Sequence, residues 1–182
     1  MKNREEDADA TVGERSPHSV ALRKGRFSEA GRCYAITKCV LGRRPMLVEK
    51  LKDGRAAASL LADAVRYRHQ VGICQCFGLV VMPDHFHLVI QLLQNELPVF
   101  VASLSKFTSR QISSGLRDSG PLWQSGFYEH ALRGERGLQA YLAYMNLNPV
   151  RAGLVSRPEE WPWTFILPRW PLKGSPAAGW IG

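Results

Sequence analysis

Two histidines one residue apart stand inside an apolar segment of the sequence. Residues 80–90 read VVMPDHFHLVI, where His85 and His87 interrupt a run that otherwise predicts a buried strand. Because residues i and i+2 of a strand point to the same side, both imidazoles are expected on one face, with Phe86 and Leu88 on the other. Such a pair suits one divalent cation, and two hydrogen-bonded structural histidines are the alternative.

A cation held by two histidines keeps open positions for the oxygens of a substrate. It would act there as a Lewis acid that polarises a phosphodiester and stabilises the departing alkoxide. Such a site needs a nucleophile and usually a third ligand. Residues 141–155, which read YLAYMNLNPVRAGLV, offer both.

A tyrosine and an asparagine four residues apart are the candidates in that segment. Tyr144 and Asn148 would lie one turn apart on one helical face. If this face meets the histidine strand, Tyr144 can attack a phosphate and Asn148 can offer its amide oxygen as a ligand. A nearby cation would help to ionise the phenol, whose unperturbed pKa is about 10. Tyr141 is the rival nucleophile, and a packing or surface tyrosine is the alternative for Tyr144.

The elements that must position these residues follow from hydrophobic periodicity. A turn at Met82-Pro83-Asp84 predicts an antiparallel hairpin, and Asn148-Pro149 ends the last helix. The order β-α-β-β-α-β-α predicts an α+β fold: a ferredoxin-like split βαβ antiparallel sheet with two helices on one face, then a C-terminal tyrosine-bearing helix and an irregular tail from 156. The predicted strands are 33–40, 73–82, 85–93 and 122–132 (with its approach loop), and the predicted helices are 55–69, 97–115 and 136–147.

Length and composition indicate one globular domain. The chain has 182 residues, of which 45% are hydrophobic and 22% charged. It has no apolar run that could span a bilayer and no signal peptide in MKNREEDADATVGERS, so we expect a cytoplasmic protein without a membrane partner. We expect a disordered leader at 1–21, a domain at 22–170 and a tail at 171–182. Four cysteines (Cys33, Cys39, Cys74 and Cys76) are expected as buried free thiols.

The charge balance favours an acidic partner. The formal net charge is +8 and the pI about 9.6, which makes nucleic acid the first candidate. Trp123 and Phe127 could stack on bases, although packing is the expected role for both. The candidate DNA-binding cations are Arg23, Lys24, Arg26 and Arg32 in a loop at 22–32, Lys106 and Arg110 on the second helix, and Arg151 after the third helix.

Three segments in a fixed order resemble a known family. MPDHFHLVI, WQSGFYEHALR and YMNLNPVRAGLV resemble the REP-associated tyrosine transposases of the single-tyrosine HUH superfamily. The similarity also includes LRKGRFSEAGRCYAIT and WPWT, and it covers roughly residues 22–166. Family members often have Asn in place of Asp84, and an acid there could shift the metal preference.

The resemblance implies a reaction and its residues. His85 and His87 would bind Mg2+ or Mn2+, with Asn148 as the third ligand. Tyr144 would attack single-stranded DNA, form a 5′-phosphotyrosine bond and leave a free 3′-OH. The implied substrates are short hairpins from repetitive extragenic palindromes, and the protein would act as a monomer or homodimer.

Two other functions remain open from the sequence. One is a non-catalytic regulator, derived from a transposase, that binds hairpin DNA. The other is a metallohydrolase that uses the two histidines to hold a metal-bound water and needs no tyrosine. The presence of His85, His87 and Tyr144 together favours strand transfer, because a pure binder has no need of all three.

Overall fold

Alternating apolar residues build a five-stranded sheet with helices on both faces. The structure, a computed structural model, describes residues 30–166. The strands are β1 (Cys33–Cys39), β2 (Cys74–Val81), β3 (His85–Leu92), β4 (Tyr128–Leu132) and β5 (Thr164–Ile166). The helices are α1 (Ala57–Gln70), α2 (Leu97–Leu116), α3 (Gly134–Asn146) and α4 (Asn148–Arg151).

The sheet has the predicted topology with one strand added. Its order is β4-β1-β3-β2-β5, and every neighbouring pair is antiparallel. The first four strands have the order of the split βαβ arrangement, so the α+β ferredoxin-like prediction is confirmed. The hairpin between β2 and β3 is also confirmed, and the Met82 N–H donates a hydrogen bond of 2.8 Å to the His85 carbonyl across the turn.

The prediction of an irregular tail is wrong at residues 164–166. This segment is β5, which pairs with β2 along Gly78, Leu79 and Val80. The physical reason is the free edge of β2, whose backbone groups would otherwise lack ladder partners. Trp161 fixes the segment just before β5 to the end of β2, because its indole N–H donates a hydrogen bond of 2.9 Å to the Val81 carbonyl.

The two faces of the sheet are covered by different helices. Phe86 and Leu88 of β3 belong to a core with residues of α1 and α2, such as Leu104. Val89 of the same strand belongs to a second core with Leu142 of α3. The two predicted helices therefore share one face, and α3 covers the opposite face. Since His85 and His87 alternate with Phe86 and Leu88, both histidines lie on the α3 face.

Several packing predictions are confirmed. Trp123 is buried, its indole N–H donates a 3.0 Å hydrogen bond to Thr108 Oγ1, and its ring meets Phe86 edge-on. Of the segment 122–132, predicted as a strand with its approach loop, only Tyr128–Leu132 is β4, and Trp123 forms an isolated bridge with Val40. Phe127 and the tail tryptophans pack against the two cores. The four cysteines are buried and free, as expected.

The predicted termini lie outside the described residues. This holds for the leader at 1–21, the first part of the basic loop and the tail at 171–182. Within residues 30–166, no helix is both long and apolar enough to cross a membrane.

Candidate functional site

The Nε2 atoms of the two histidines lie close together. The Nε2 atoms of His85 and His87 are 3.1 Å apart. The rings stand nearly perpendicular, with an interplanar angle of 85° and centroids 4.8 Å apart. Both Nε2 atoms therefore face one point, an arrangement in which two imidazoles can bind the same cation.

The Nδ1 atoms of the two histidines contact separate partners. His87 Nδ1 lies 2.9 Å from Thr37 Oγ1, because Thr37 is opposite His87 in the β1–β3 ladder. His85 Nδ1 lies 2.6 Å from Asp84 Oδ1, and Arg43 Nε lies 2.8 Å from the other oxygen of Asp84. Metal-binding histidines in proteins are oriented by such contacts.

Burial keeps both imidazoles neutral near pH 7. Desolvation lowers the pKa of His85, and the neighbouring Asp84 carboxylate opposes that shift. Desolvation, with His85 as the second cause, lowers the pKa of His87 to about 3. Since a metal binds the neutral ring, neither histidine has to lose a net proton to become a ligand at this pH.

The donor set fits a divalent cation that also takes oxygen ligands. No cluster of three or more His, Cys, Asp or Glu in residues 30–166 could hold a metal. Further ligands would then be amide, hydroxyl, substrate or water oxygens. Asn148 begins α4, and its side-chain nitrogen is buried without a hydrogen-bond partner. Buried amides are usually satisfied, and the unpartnered group here is an N–H2 donor, which suits an acceptor such as a phosphate oxygen and is no evidence for a cation at the amide oxygen.

The two candidate tyrosines have different environments on α3. Tyr141 is partly buried beside the core, and desolvation raises its pKa while the neighbouring Thr37 side chain opposes that shift. Tyr144 is 49% exposed, and the Arg151 guanidinium carbon lies 4.6 Å from its ring centroid. The two tyrosine rings are 5.8 Å apart between centroids. The structure thus connects Tyr141 to His87 through Thr37 and brings Tyr144 beside Tyr141.

A break in the helix separates Tyr144 from Asn148. Tyr144 lies in the last turn of α3, which ends at Asn146, and Asn148 opens α4. Pro149 has no backbone N–H, so it suits the first turn of a new helix better than the interior of α3. The prediction that both residues lie on one helical face assumed a continuous helix, and the structure has a break at Leu147 instead. The end of α3 at Asn146 is within one residue of the predicted end at 147.

The predicted DNA-binding cations are distributed over the molecule. Arg23, Lys24 and Arg26 lie outside the described residues. Arg32 is partly buried directly before β1, and the structure brings Arg151 to Tyr144. Lys106 and Arg110 are exposed on α2, in the layer on the other face of the sheet from the histidines, and so lie apart from the site.

Sequence reasoning missed Thr37 and the orienting role of Asp84, and it considered Arg43 only as a cation for DNA and not as the partner of Asp84. Asp84 adjoins His85 in the sequence, which was a readable signal for a carboxylate–imidazole contact. Thr37 gave no such signal, because it meets His87 only through the register of two strands.

Comparisons with known proteins support the resemblance. No family model matches the chain. The chain is 32% identical over 99 residues to a REP-associated tyrosine transposase of Haemophilus influenzae, with 48% of this chain and 56% of the relative covered. It is 29% identical over 87 residues to a REP-associated tyrosine transposase of Escherichia coli, with 47% and 50% covered. The chain thus spans about half the length of the curated relatives it matches.

A solved structure has the same fold. A REP-associated tyrosine transposase bound to a REP hairpin superposes with a TM-score of 0.59 at 23% sequence identity, covering 76% of this chain and 79% of the other. The predicted resemblance and fold class are therefore confirmed.

Proposed function

We propose that this chain is a metal-dependent DNA strand transferase that cleaves single-stranded hairpin DNA through Tyr144. Its similarity to REP-associated tyrosine transposases, one of them solved with a REP hairpin, supports this assignment. The observation that carries the proposal is the convergence of the His85 and His87 Nε2 atoms on one point, beside a helix that ends in an exposed tyrosine.

The ligands of the proposed site favour Mn2+ over Mg2+. His85 and His87 would bind through Nε2, and Asn148 through its amide oxygen. Mg2+ prefers oxygen ligands almost entirely, whereas imidazole also suits softer divalent cations. When bound, the cation would polarise the phosphodiester as a Lewis acid.

Tyr144 is the better nucleophile of the two tyrosines. Its half-exposed ring can meet a DNA strand, and the cationic guanidinium of Arg151 over that ring can pair with a phosphate of the strand. Tyr141 is partly buried, and burial raises its pKa more than the neighbouring Thr37 side chain lowers it. In the proposed step the Tyr144 phenol loses its proton to solvent and its oxygen bonds to phosphorus, while the P–O3′ bond breaks and the 3′-oxygen leaves and takes up a proton.

A gel assay for a covalent adduct tests the proposal. Hairpin oligonucleotides with single-stranded flanks, taken from palindromes near the gene, are labelled at either end and incubated with the full chain and Mn2+. We expect cleavage with the protein attached to the 5′-phosphate of one fragment. Tyr144→Phe and His87→Ala should abolish the adduct, while Tyr141→Phe should retain it. Tyr67→Phe on α1 is the control, since Tyr67 is exposed and on the opposite layer.

Two outcomes would contradict the proposal in different ways. An adduct that persists in Tyr144→Phe would exclude Tyr144 as the nucleophile. Tight hairpin binding without cleavage, at any Mn2+ concentration, would instead favour a regulator that binds DNA and does no chemistry.

A further inference from the structure

A row of directly paired residues crosses the sheet at the level of His87. Thr37 of β1 pairs with His87 of β3 on one side and with Tyr128 of β4 on the other. Directly opposite residues of neighbouring strands point to the same face, so Tyr128 lies on the α3 face together with His87. Neighbouring strands are about 4.8 Å apart, which puts the backbone of Tyr128 about 10 Å from that of His87.

Tyr128 stands at the open edge of this face. β4 is the terminal strand of the sheet, and Tyr128 is 44% exposed. Leu142 and Met145 of α3 pack over Gly78 of β2, toward the other edge of the sheet. An exposed aromatic residue on a strand needs no function by itself. What distinguishes Tyr128 is its position, two strands from His87 on the same face.

The loop that precedes β4 is fixed to β1. The Lys38 ammonium is buried and donates hydrogen bonds of 2.5 and 2.6 Å to the carbonyls of Gln124 and Gly126. The Gln124 N–H donates a hydrogen bond of 3.0 Å to the carbonyl of Cys39, which is opposite His85 in the sheet. A buried ammonium is costly unless it is hydrogen-bonded, so Lys38 holds this loop in one position. The start of β4 is thereby fixed relative to the histidines.

A rigid aromatic ring beside a phosphate site suits a nucleotide base. Proteins bind single-stranded nucleic acid with aromatic side chains on which the bases stack, because every base has a π-face. Stacked nucleotides are about 3.4 Å apart along one strand, so about three of them span the distance between His87 and Tyr128. A strand with one phosphate at the histidines therefore brings a nearby base to the Tyr128 ring.

We propose that Tyr128 is a substrate-binding residue that stacks on an unpaired base within about three nucleotides of the phosphate at the histidine site. This inference rests on the proposed function, because it concerns the same DNA substrate. It assigns the single-stranded flank of the hairpin, and not its paired stem, to the β4 edge of the sheet. The flank then crosses the row from His87 over Thr37 to Tyr128.

Photo-crosslinking locates the base that meets Tyr128. Flanked hairpin oligonucleotides carry 5-iodouracil at one position at a time and are irradiated with the Tyr144→Phe variant, in which the DNA stays uncleaved. An aromatic ring stacked on this base becomes bonded to it, with loss of HI, and mass spectrometry of the peptides identifies the residue. We expect Tyr128 to crosslink to flank positions. Flank positions that crosslink only to other residues would overturn the inference.

The affinity for a flanked hairpin measures what the ring contributes. Tyr128→Ala should weaken binding about ten-fold or more, whereas Tyr128→Phe and Tyr128→Trp should stay within about two-fold of the wild type, because stacking needs the ring and not the hydroxyl. All three variants should bind a blunt hairpin without flanks as the wild type does. Tyr67→Ala is the matched control, since Tyr67 is exposed on α1 in the opposite layer.

Two results of the affinity measurement would contradict the stacking contact. One is a loss in Tyr128→Phe as large as that in Tyr128→Ala, which would assign the effect to the hydroxyl. The other is an equal loss for blunt and flanked hairpins, which would remove the flank from this edge of the sheet.

Neither test requires cleavage, so the outcomes separate this inference from the proposed function. If the wild type forms the covalent adduct and Tyr128→Ala leaves flank binding unchanged, the inference fails and the strand transferase stands. If the wild type never cleaves but Tyr128→Ala loses flank binding, the proposed chemistry fails and the stacking contact stands.

Discussion

At the scale of single residues, the two histidines differ in what orients them. His85 faces a carboxylate that is paired with a guanidinium, whereas His87 faces a neutral hydroxyl. A carboxylate partner raises the basicity of an imidazole as a ligand. His85 is therefore expected to be the stronger ligand and His87 the one that depends on its neighbours.

Removing the Asp84 carboxylate should weaken cation binding. Asp84→Ala leaves His85 Nδ1 without its acceptor, and we expect a loss of roughly 10- to 100-fold in Mn2+ affinity. Asp84→Asn keeps an acceptor oxygen and should lose less. Asp118→Asn is the control, since Asp118 also pairs with an arginine, Arg44, at 2.8 Å. Unchanged affinity in Asp84→Ala would mean that the Asp84 carboxylate does not orient His85 for cation binding.

The buried thiols should be inert in the native protein. Burial raises the pKa of Cys33 to about 11 and that of Cys74 to about 12, so little thiolate forms at mildly alkaline pH. We expect neither to react with a thiol reagent until guanidinium chloride unfolds the chain, when all four cysteines become titratable. Fast native reaction at Cys74 would show that β2 opens readily.

At the scale of elements, the contact of α3 with the sheet positions both tyrosines. Leu142 and Met145 of α3 lie over Gly78 of β2, next to a register shift between Cys76 and Gly78. A Cβ at Gly78 would come within 2.7 Å of Leu142 Cδ2. The missing side chain therefore lets α3 approach β2 closely.

A single methyl group at Gly78 should disturb this contact. We expect Gly78→Ala to lower the free energy of unfolding by about 1–3 kcal/mol and to reduce adduct formation, because the buried Leu142 side chain, or α3 with it, must move. Gly137→Ala, where an added Cβ on α3 meets nothing within 4 Å, should instead raise stability by up to about 1 kcal/mol. Urea unfolding measures both changes. Equal stability of the two variants would contradict the close approach.

At the scale of the whole molecule, the two helical layers divide the surface. The layer of α3 and α4 contains Tyr144 and Arg151, and the layer of α1 and α2 contains Lys106 and Arg110. Under the proposed function, the formal net charge of +8 would attract DNA to the protein without selecting a face. The position of the histidines favours the α3 layer as the DNA side.

Salt dependence should identify the DNA-binding face. Hairpin affinity should fall steeply between about 50 and 200 mM salt, because each neutralised phosphate releases counterions. Arg151→Gln should reduce the slope of log affinity against log salt by roughly one phosphate contact. Lys106→Gln provides the comparison on the opposite layer. A reduced slope in Lys106→Gln alone would assign the DNA to the α1 and α2 layer.

The sequence by itself determined the types of most elements and the sidedness of the histidines. A period of two places His85 and His87 on one face of any strand, and a period near 3.6 predicts the three long helices, because both are local properties of the chain. The order of these elements, with the short turn at residues 82–84, was enough to predict the split βαβ topology.

Only the tertiary structure decided which residues surround the histidines. The β1–β3 register joins Thr37 to a histidine fifty residues away, and a short strand at 164–166 completes the sheet edge. The docking of α3 turns Tyr141 toward Thr37 and leaves Tyr144 exposed. Spacing could not distinguish these tyrosines, because the rotation of a helix is set by its packing against the sheet. That packing depends on residues distant in the chain, so no local pattern encodes it.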